Sequence, residues 1–372
     1  MKKFLAQLVI FCITAYCTGQ ELPLLHTFPT SQGHRGWRLE LDATAFLRDA
    51  AFETPYTRGY TATGFFLDPM AHYGIDSVAR LTVGLHLAGV AGYDGLRAWN
   101  PLVRLEYAPC RWLRLVMGTL YGGLSHGVGE AMLDRERWIY DHQEEGMQLL
   151  IHAGERFHSD TWLHWENLLE PWQMDQERFT LGSSNELMLC SGEHWRVALP
   201  LAFVGSHRGG QFSALDTCIQ SLFNESAGLR VGFSPTERCR LTLELPVYLY
   251  QDISPTPCLA YTQGWGVWPQ IGYEGRSRRG MLLLASAGYW HGHRYIAPRG
   301  SYLFQGVSWH LADFAAPERD MVTLRAALER PIRPGCSFGA DAEAYYDLTS
   351  GGLDFAFGVY LRYRIEKHPD VH

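Results

Sequence analysis

The clearest pattern in the chain is the alternation of Leu353, Phe355, Phe357, Val359, Leu361, Tyr363 and Ile365 with Asp354, Ala356, Gly358, Tyr360, Arg362 and Arg364. Successive side chains of a β-strand point to opposite faces, so one face of this run is apolar and the other small or polar. Strands of soluble sandwiches average about five or six residues. This run has thirteen, and at roughly 3.3 Å per residue, tilted by about 45°, it is long enough to cross a bilayer. The pattern predicts a membrane-spanning strand with its apolar face to lipid and its polar face to a lumen.

From Trp37 onward the signal recurs in runs of about ten to fourteen residues, separated alternately by short and longer connectors. Leu81, Val83, Leu85 and Leu87 form one such stripe, and Leu241, Leu243, Leu245, Val247 and Leu249 another. Charges sit on the opposite face, where a soluble core would have to pair every one of them. The predicted lumen lining is Arg80, Arg104, Glu106, Arg114, Glu244, Arg325, Asp341, Glu343 and Arg362. Opposed charges across a narrow barrel should pair and leave the lumen polar and partly blocked. Periplasmic turns are expected at 75–77, 109–111, 154–156, 191–193, 235–238 and 275–278. Outer loops are expected at 49–58, 92–97, 126–145, 170–175, 207–227, 251–261 and 291–300. Seventeen runs can be counted, but two periplasmic termini require an even number. The expected fold is all-β, a single antiparallel transmembrane barrel of about 16 strands, within a range of roughly 14–18.

Lys2 and Lys3, the apolar run Phe4 to Tyr16 and then Cys17-Thr18-Gly19 have the layout of a secretory signal peptide, residues 1–19. Tyr16 and Phe11 precede Cys17 and Cys12, where a lipoprotein needs a small residue. Residues 20–36 read as a short periplasmic segment, 37–365 as the barrel and 366–372 as a tail. Charged residues make up only 19% of the chain and aromatics 13%, which suits a barrel with aromatic girdles. The net charge of −7 argues against a nucleic-acid partner. The expected setting is the outer membrane, with its lipids, lipopolysaccharide included, as partners. Of six cysteines after the leader, Cys218 and Cys258 fall in loops on the same side and are open to pairing or to remaining thiols.

No Gly-x-Ser-x-Gly elbow, His-Glu-x-x-His pair or paired-cysteine site is present, so no metal or cofactor is expected. Ser125-His126 and His291-Gly292-His293, at the tops of strands, are the candidates for lipid hydrolysis, the plainer reading being polar residues that cap strands at the interface. The loop 126–145 mixes His126, Glu130, Asp134, Asp141, His142 and Glu144 with Arg135 and Arg137. Such a set could hold a divalent cation, yet the interspersed arginines predict a self-paired, solvated loop. Trp99, Trp138 and Trp172 near outer loops could stack on sugars, whereas Trp37, Trp112, Trp195 and Trp290 read as an interfacial belt. Gly264 to Pro269 breaks strand rules and predicts a bulge or kink.

The segments Gly59 to Phe65, Gly118 to Gly127 and Asp160 to Asn167 resemble a family of uncharacterised outer-membrane barrels from Bacteroidota. The likeness runs over roughly the first half of the mature chain. It implies an outer-membrane barrel and carries over no catalytic residue. The expected function is non-enzymatic, a transport or envelope-assembly role in which the loops 126–145 and 207–227 contact a surface lipoprotein or solute. The alternative is an outer-membrane enzyme acting on phospholipid or lipid A, with His126 or His291 as general base.

Phe357→Arg and Val359→Arg should each cost about 2–4 kcal/mol near mid-bilayer and lower the amount of folded barrel in membranes. Tyr360→Arg, facing a wet lumen, should leave it near normal.

Overall fold

The computed structural model describes residues 22–27, 35–76, 78–168, 176–209 and 218–367. They form one closed antiparallel sheet, in which the last strand returns to pair with the first from Leu39↔Lys367 to Ala51↔Phe355. The strands are β1 Gly36–Ala51, β2 Tyr60–Gly74, β3 Ala79–Val90, β4 Ala98–Cys110, β5 Leu113–Thr119, β6 Glu145–Ala153, β7 Phe157–Asn167, β8 Glu177–Ser191 and β9 Trp195–Gly209. They continue as β10 Gln220–Thr236, β11 Cys239–Asp252, β12 Gln263–Val267, β13 Gln270–Arg276, β14 Leu282–His293, β15 Glu318–Arg333, β16 Cys336–Asp347 and β17 Leu353–Lys367. Both β12 and β13 pair with β11 on one side and β14 on the other, so these seventeen runs occupy sixteen barrel positions. The break lies at Trp268-Pro269, where proline cannot donate to the ladder. Trp268 turns inward there and donates its indole N–H to Thr323 Oγ1 at 3.1 Å.

Alternation is realised as expected on the last strand. Leu353, Phe355, Phe357, Val359 and Leu361 are exposed to the outside, while Asp354, Ala356, Gly358 and Tyr360 are buried inside. No helix among the described residues is long and apolar enough to cross a membrane; the strands do the crossing. Strands β9 and β10 run on to Gly209 and from Gln220, so both ends of the expected loop 207–227 are strand, and residues 210–217 lie outside the described residues. Cys218 and Cys258 join that loop to the next one in a disulfide. The segments 1–19 and 368–372, with Trp172, lie outside the described residues.

The lumen is filled. The loop between β5 and β6 and the loop between β14 and β15 fold inward, burying Ala131, Met132, Trp138, Ile296, Leu303 and Phe304 with Tyr248, Trp290 and Tyr345 of the wall. The part of the presumed periplasmic segment that is described, Leu22 to Thr27, also packs inside: Leu22 and Leu24 are buried, and Arg362 donates to the carbonyls of Leu24 and His26. Two expectations are therefore corrected. Trp290 and Trp138 are core residues rather than belt or sugar-binding ones. The loop 126–145 is largely buried rather than solvated; Arg137 and His126 do pair within it, with Asp141 and Glu144, but Glu130, Arg135 and Glu136 pair with the wall. Glu136 binds Arg48 of β1, Glu130 lies 2.6 Å from Arg325, and Arg135 lies 3.2 Å from Asp341 and against Glu343.

Tyr360 belongs to this filling, with 1% exposure, an O–H donated to Asp341 at 2.8 Å and an edge contact to Trp138. A new arginine there would join Arg48 and Arg135 in a space without room for it. Tyr360→Arg is accordingly expected to deplete folded barrel as much as Phe357→Arg, while Tyr360→Phe costs about 1 kcal/mol for the lost hydrogen bond; heat-modifiable gel mobility reads both. In planar bilayers the protein is expected to give no large steady conductance, and a wide, weakly selective pore would contradict the filled lumen.

Candidate functional site

All nine residues of the sequence-derived lumen set sit on inward faces, and each has a partner. Glu106 gathers Arg80 at 2.7 Å, Arg114 at 3.0 Å and the Tyr121 hydroxyl at 2.8 Å. Arg104 donates to the carbonyls of Thr119 and Leu120, and Arg230 binds Glu244 at 2.5 Å. Arg362 is held by Asp42 at 2.8 Å, and Asp341, Glu343 and Arg325 belong to the loop-to-wall network described above. These groups serve the packing of the lumen.

The two histidine motifs end up in opposite environments. After β5 the chain makes a 3-10 turn, Gly123–His126, closed by Gly127 in the left-handed region at φ 65°. The turn lays the His126 ring flat on Trp162, with centroids 3.5 Å apart. Its Nδ1 lies 2.7 Å from Asp160 and its Nε2 3.0 Å from Glu144, the second contact being out of solvent. Burial alone would lower the affinity of the ring for its second proton, but the two carboxylates outweigh that and raise its pKa to about 9. Glu144, whose burial would push it up, is held well below the usual carboxylate range by His126 and Arg137. An imidazolium with both N–H groups committed has no lone pair to accept a proton. His126 is thus a clamp for the inward loop, and Ser125 makes no bond to it: its Oγ accepts the Thr27 N–H at 2.8 Å.

His291 lies near the outer end of β14, on the face that Leu283 and Tyr289 also occupy and opposite the buried Trp290. Register pairs His291 with Asp320 and His293 with Glu318. His291 Nδ1 is 2.9 Å from Asp320 Oδ1, which also accepts the Tyr289 hydroxyl, and His293 Nδ1 is 2.6 Å from Glu318. His291 Nε2 has Glu318 at 3.9 Å and is otherwise turned outward, beside the Trp265 ring. About a third of each histidine side chain is exposed. A histidine whose Nδ1–H is held by a carboxylate presents a basic Nε2, the arrangement that general-base chemistry needs. It stands on the outer face of the barrel, near the end of β14. A second outward polar pair is Thr61 with Asp49. Asp320 and Glu318 were not singled out from sequence, because their relation to His291 and His293 exists only through the β14–β15 register.

A model of the family described as lipid A 3'-O-deacylase-type matches residues 29–368. No curated protein matches the chain. Among solved structures it is similar to the outer membrane protein OprD of Pseudomonas aeruginosa, at 9% identity and a TM-score of 0.52, covering 92% of this chain and 98% of that one. It is also similar to opdK of the same organism, at 9% and 0.51 over 89% and 99%. A third is a loop L8 deletion mutant of OmpT of Vibrio cholerae, at 11% and 0.50 over 90% and 100%. At these identities the likeness concerns the outer-membrane barrel fold alone.

The His126 clamp makes the inward loop pH-sensitive. Its histidine pKa is raised above the ordinary 6.5, so that contribution is complete below about 6.5 and is lost as pH climbs through about 9. Its size is on the order of 3 kcal/mol. The Glu144 contribution, with a lowered pKa, is present above its ordinary 4.5 and lost as pH falls. Protease resistance of the loop in detergent-folded protein is expected to be greatest near pH 5–6.5 and to decline toward pH 10; a flat profile from pH 6 to 10 would contradict the clamp.

Proposed function

Because the chain belongs to the lipid A 3'-O-deacylase-type family, we propose that this outer-membrane barrel hydrolyses an acyl ester of lipid A at its outer rim. The observation that carries the reading is the family match over nearly the whole chain. The outward position of the His291–Asp320 pair supports it, since lipid A occupies the outer leaflet. His291 Nε2 takes a proton from water as the water oxygen bonds to the ester carbonyl carbon. The ester C–O bond then breaks, and the same proton goes to the departing sugar oxygen. Asp320 holds the ring and balances the imidazolium. The products are a fatty acid and a free sugar hydroxyl.

The transport or assembly role expected from sequence is the second reading. The filled lumen speaks against passage of a solute, so such a role would work through contacts of the outer loops.

Mass spectrometry of lipid A from cells with and without the protein tests the activity: lipid A lacking one ester-linked acyl chain is expected only when the protein is present. His291→Ala should slow the reaction by about 10²–10⁴-fold. Identical lipid A in both strains would overturn the function, whereas full activity of His291→Ala would remove the base and leave the function standing.

A further inference from the structure

We propose that the lumen holds a site for one divalent transition-metal ion of the zinc class, built by Asp68, His86 and His142 and separate from the rim where the ester would be cut. Asp68 on β2 and His86 on β3 point inward from adjacent strands, and His142 arrives at the end of the inward loop. One donor atom from each lies within 4.8 Å of the others. Three ligands from three segments of chain thus meet in one place without serving the rim.

The donors are prepared for a metal. His142 Nδ1 donates to the Trp138 carbonyl at 2.8 Å, which fixes the tautomer and leaves the lone pair on Nε2. The His86 ring is nearly parallel to it, with centroids 4.8 Å apart, and His86 Nδ1 lies 2.7 Å from Asp68 Oδ1. Phe66 stacks on His142 at 4.2 Å, and Trp138 meets Phe66 edge-on, giving one side of the cluster an apolar wall. Arg362 lines the same small cavity, yet its guanidinium is taken up by Asp42 and two carbonyls.

Donor chemistry and room select the ion. Two imidazoles and one carboxylate suit zinc, cobalt or nickel, whereas calcium and magnesium need more oxygen ligands. A cavity of about 20 Å³ bordered by Asp68 and His142 has room for one water. A water ligand would complete a four-coordinate shell. Tetrahedral ligands about 2.0–2.1 Å from zinc stand roughly 3.3 Å apart, so the side chains need to close in by an ångström or so on binding. A bound ion would fasten the end of the inward loop to β2 and β3.

The test uses the full chain, stripped with a chelator and folded in detergent, titrated with Co²⁺. One equivalent is expected to bind with the visible ligand-field absorption of a four- or five-coordinate ion, and Zn²⁺ should displace it. His142→Ala and Asp68→Asn, checked for folding by heat-modifiable mobility, should each weaken binding by more than about tenfold. X-ray absorption of the zinc-loaded wild type should find two imidazoles with oxygen ligands, and it carries the test should the variants fail to fold. Binding far below one equivalent, undiminished affinity in folded His142→Ala, or a zinc shell without two imidazoles would overturn the site.

Discussion

Asp341 and Glu343 lie inside the barrel with only 5% exposure each, and the pairing of these two carboxylates governs how the rest of the molecule is put together. Arg48 and Arg325 reach them from the wall, at 3.3 Å and 3.5 Å, while Arg135 comes from the inward loop. The same loop supplies Glu130 and Glu136 to Arg325 and Arg48, and the hydroxyls of Tyr60, Tyr345 and Tyr360 donate into the cluster. Removing one member of such a buried set costs about 3–5 kcal/mol, because the partner is left charged and dry. The loop therefore cannot withdraw one contact at a time. Wall and loop form one unit, with an apolar core beside it much like that of a soluble protein.

Filling also sets two histidines apart: inside, His126 has a carboxylate on each ring nitrogen. On the outer face, His291 has Nδ1 held by Asp320 and Nε2 with only Glu318 at 3.9 Å.

The barrel was legible because period-two alternation is imposed by lipid on one side and the lumen on the other, and Leu353 to Ile365 records both. The lumen charges were legible for the same reason. Parity also carried more than was drawn from it: Leu283 and Tyr289 outside place Trp290 inside and His291 outside, so Trp290 could have been removed from the belt. The destination of the loops was not legible. Arg137 does pair along the chain, with Asp141 and Glu144, but Arg135 and Glu136 amid the same charges look equally self-sufficient, and only the closed sheet brings Asp341 and Glu343 to the one and Arg48 to the other. The inward course of Leu22 to Thr27 has the same cause, since its partners Glu329 and Arg362 are some three hundred residues away.

The central claim, that the inward loop is as much a part of the folded barrel as the strands, is open to amide hydrogen exchange on the detergent-folded protein. The N–H groups of Met132, Leu133 and Asp134 are bonded to the carbonyls of Gly129 and Arg299 and are out of solvent. The account predicts protection across 129–139 comparable to that of strand amides, with fast exchange confined to exposed connectors such as 92–97. Exchange of 129–139 as rapid as that of 92–97 would contradict it.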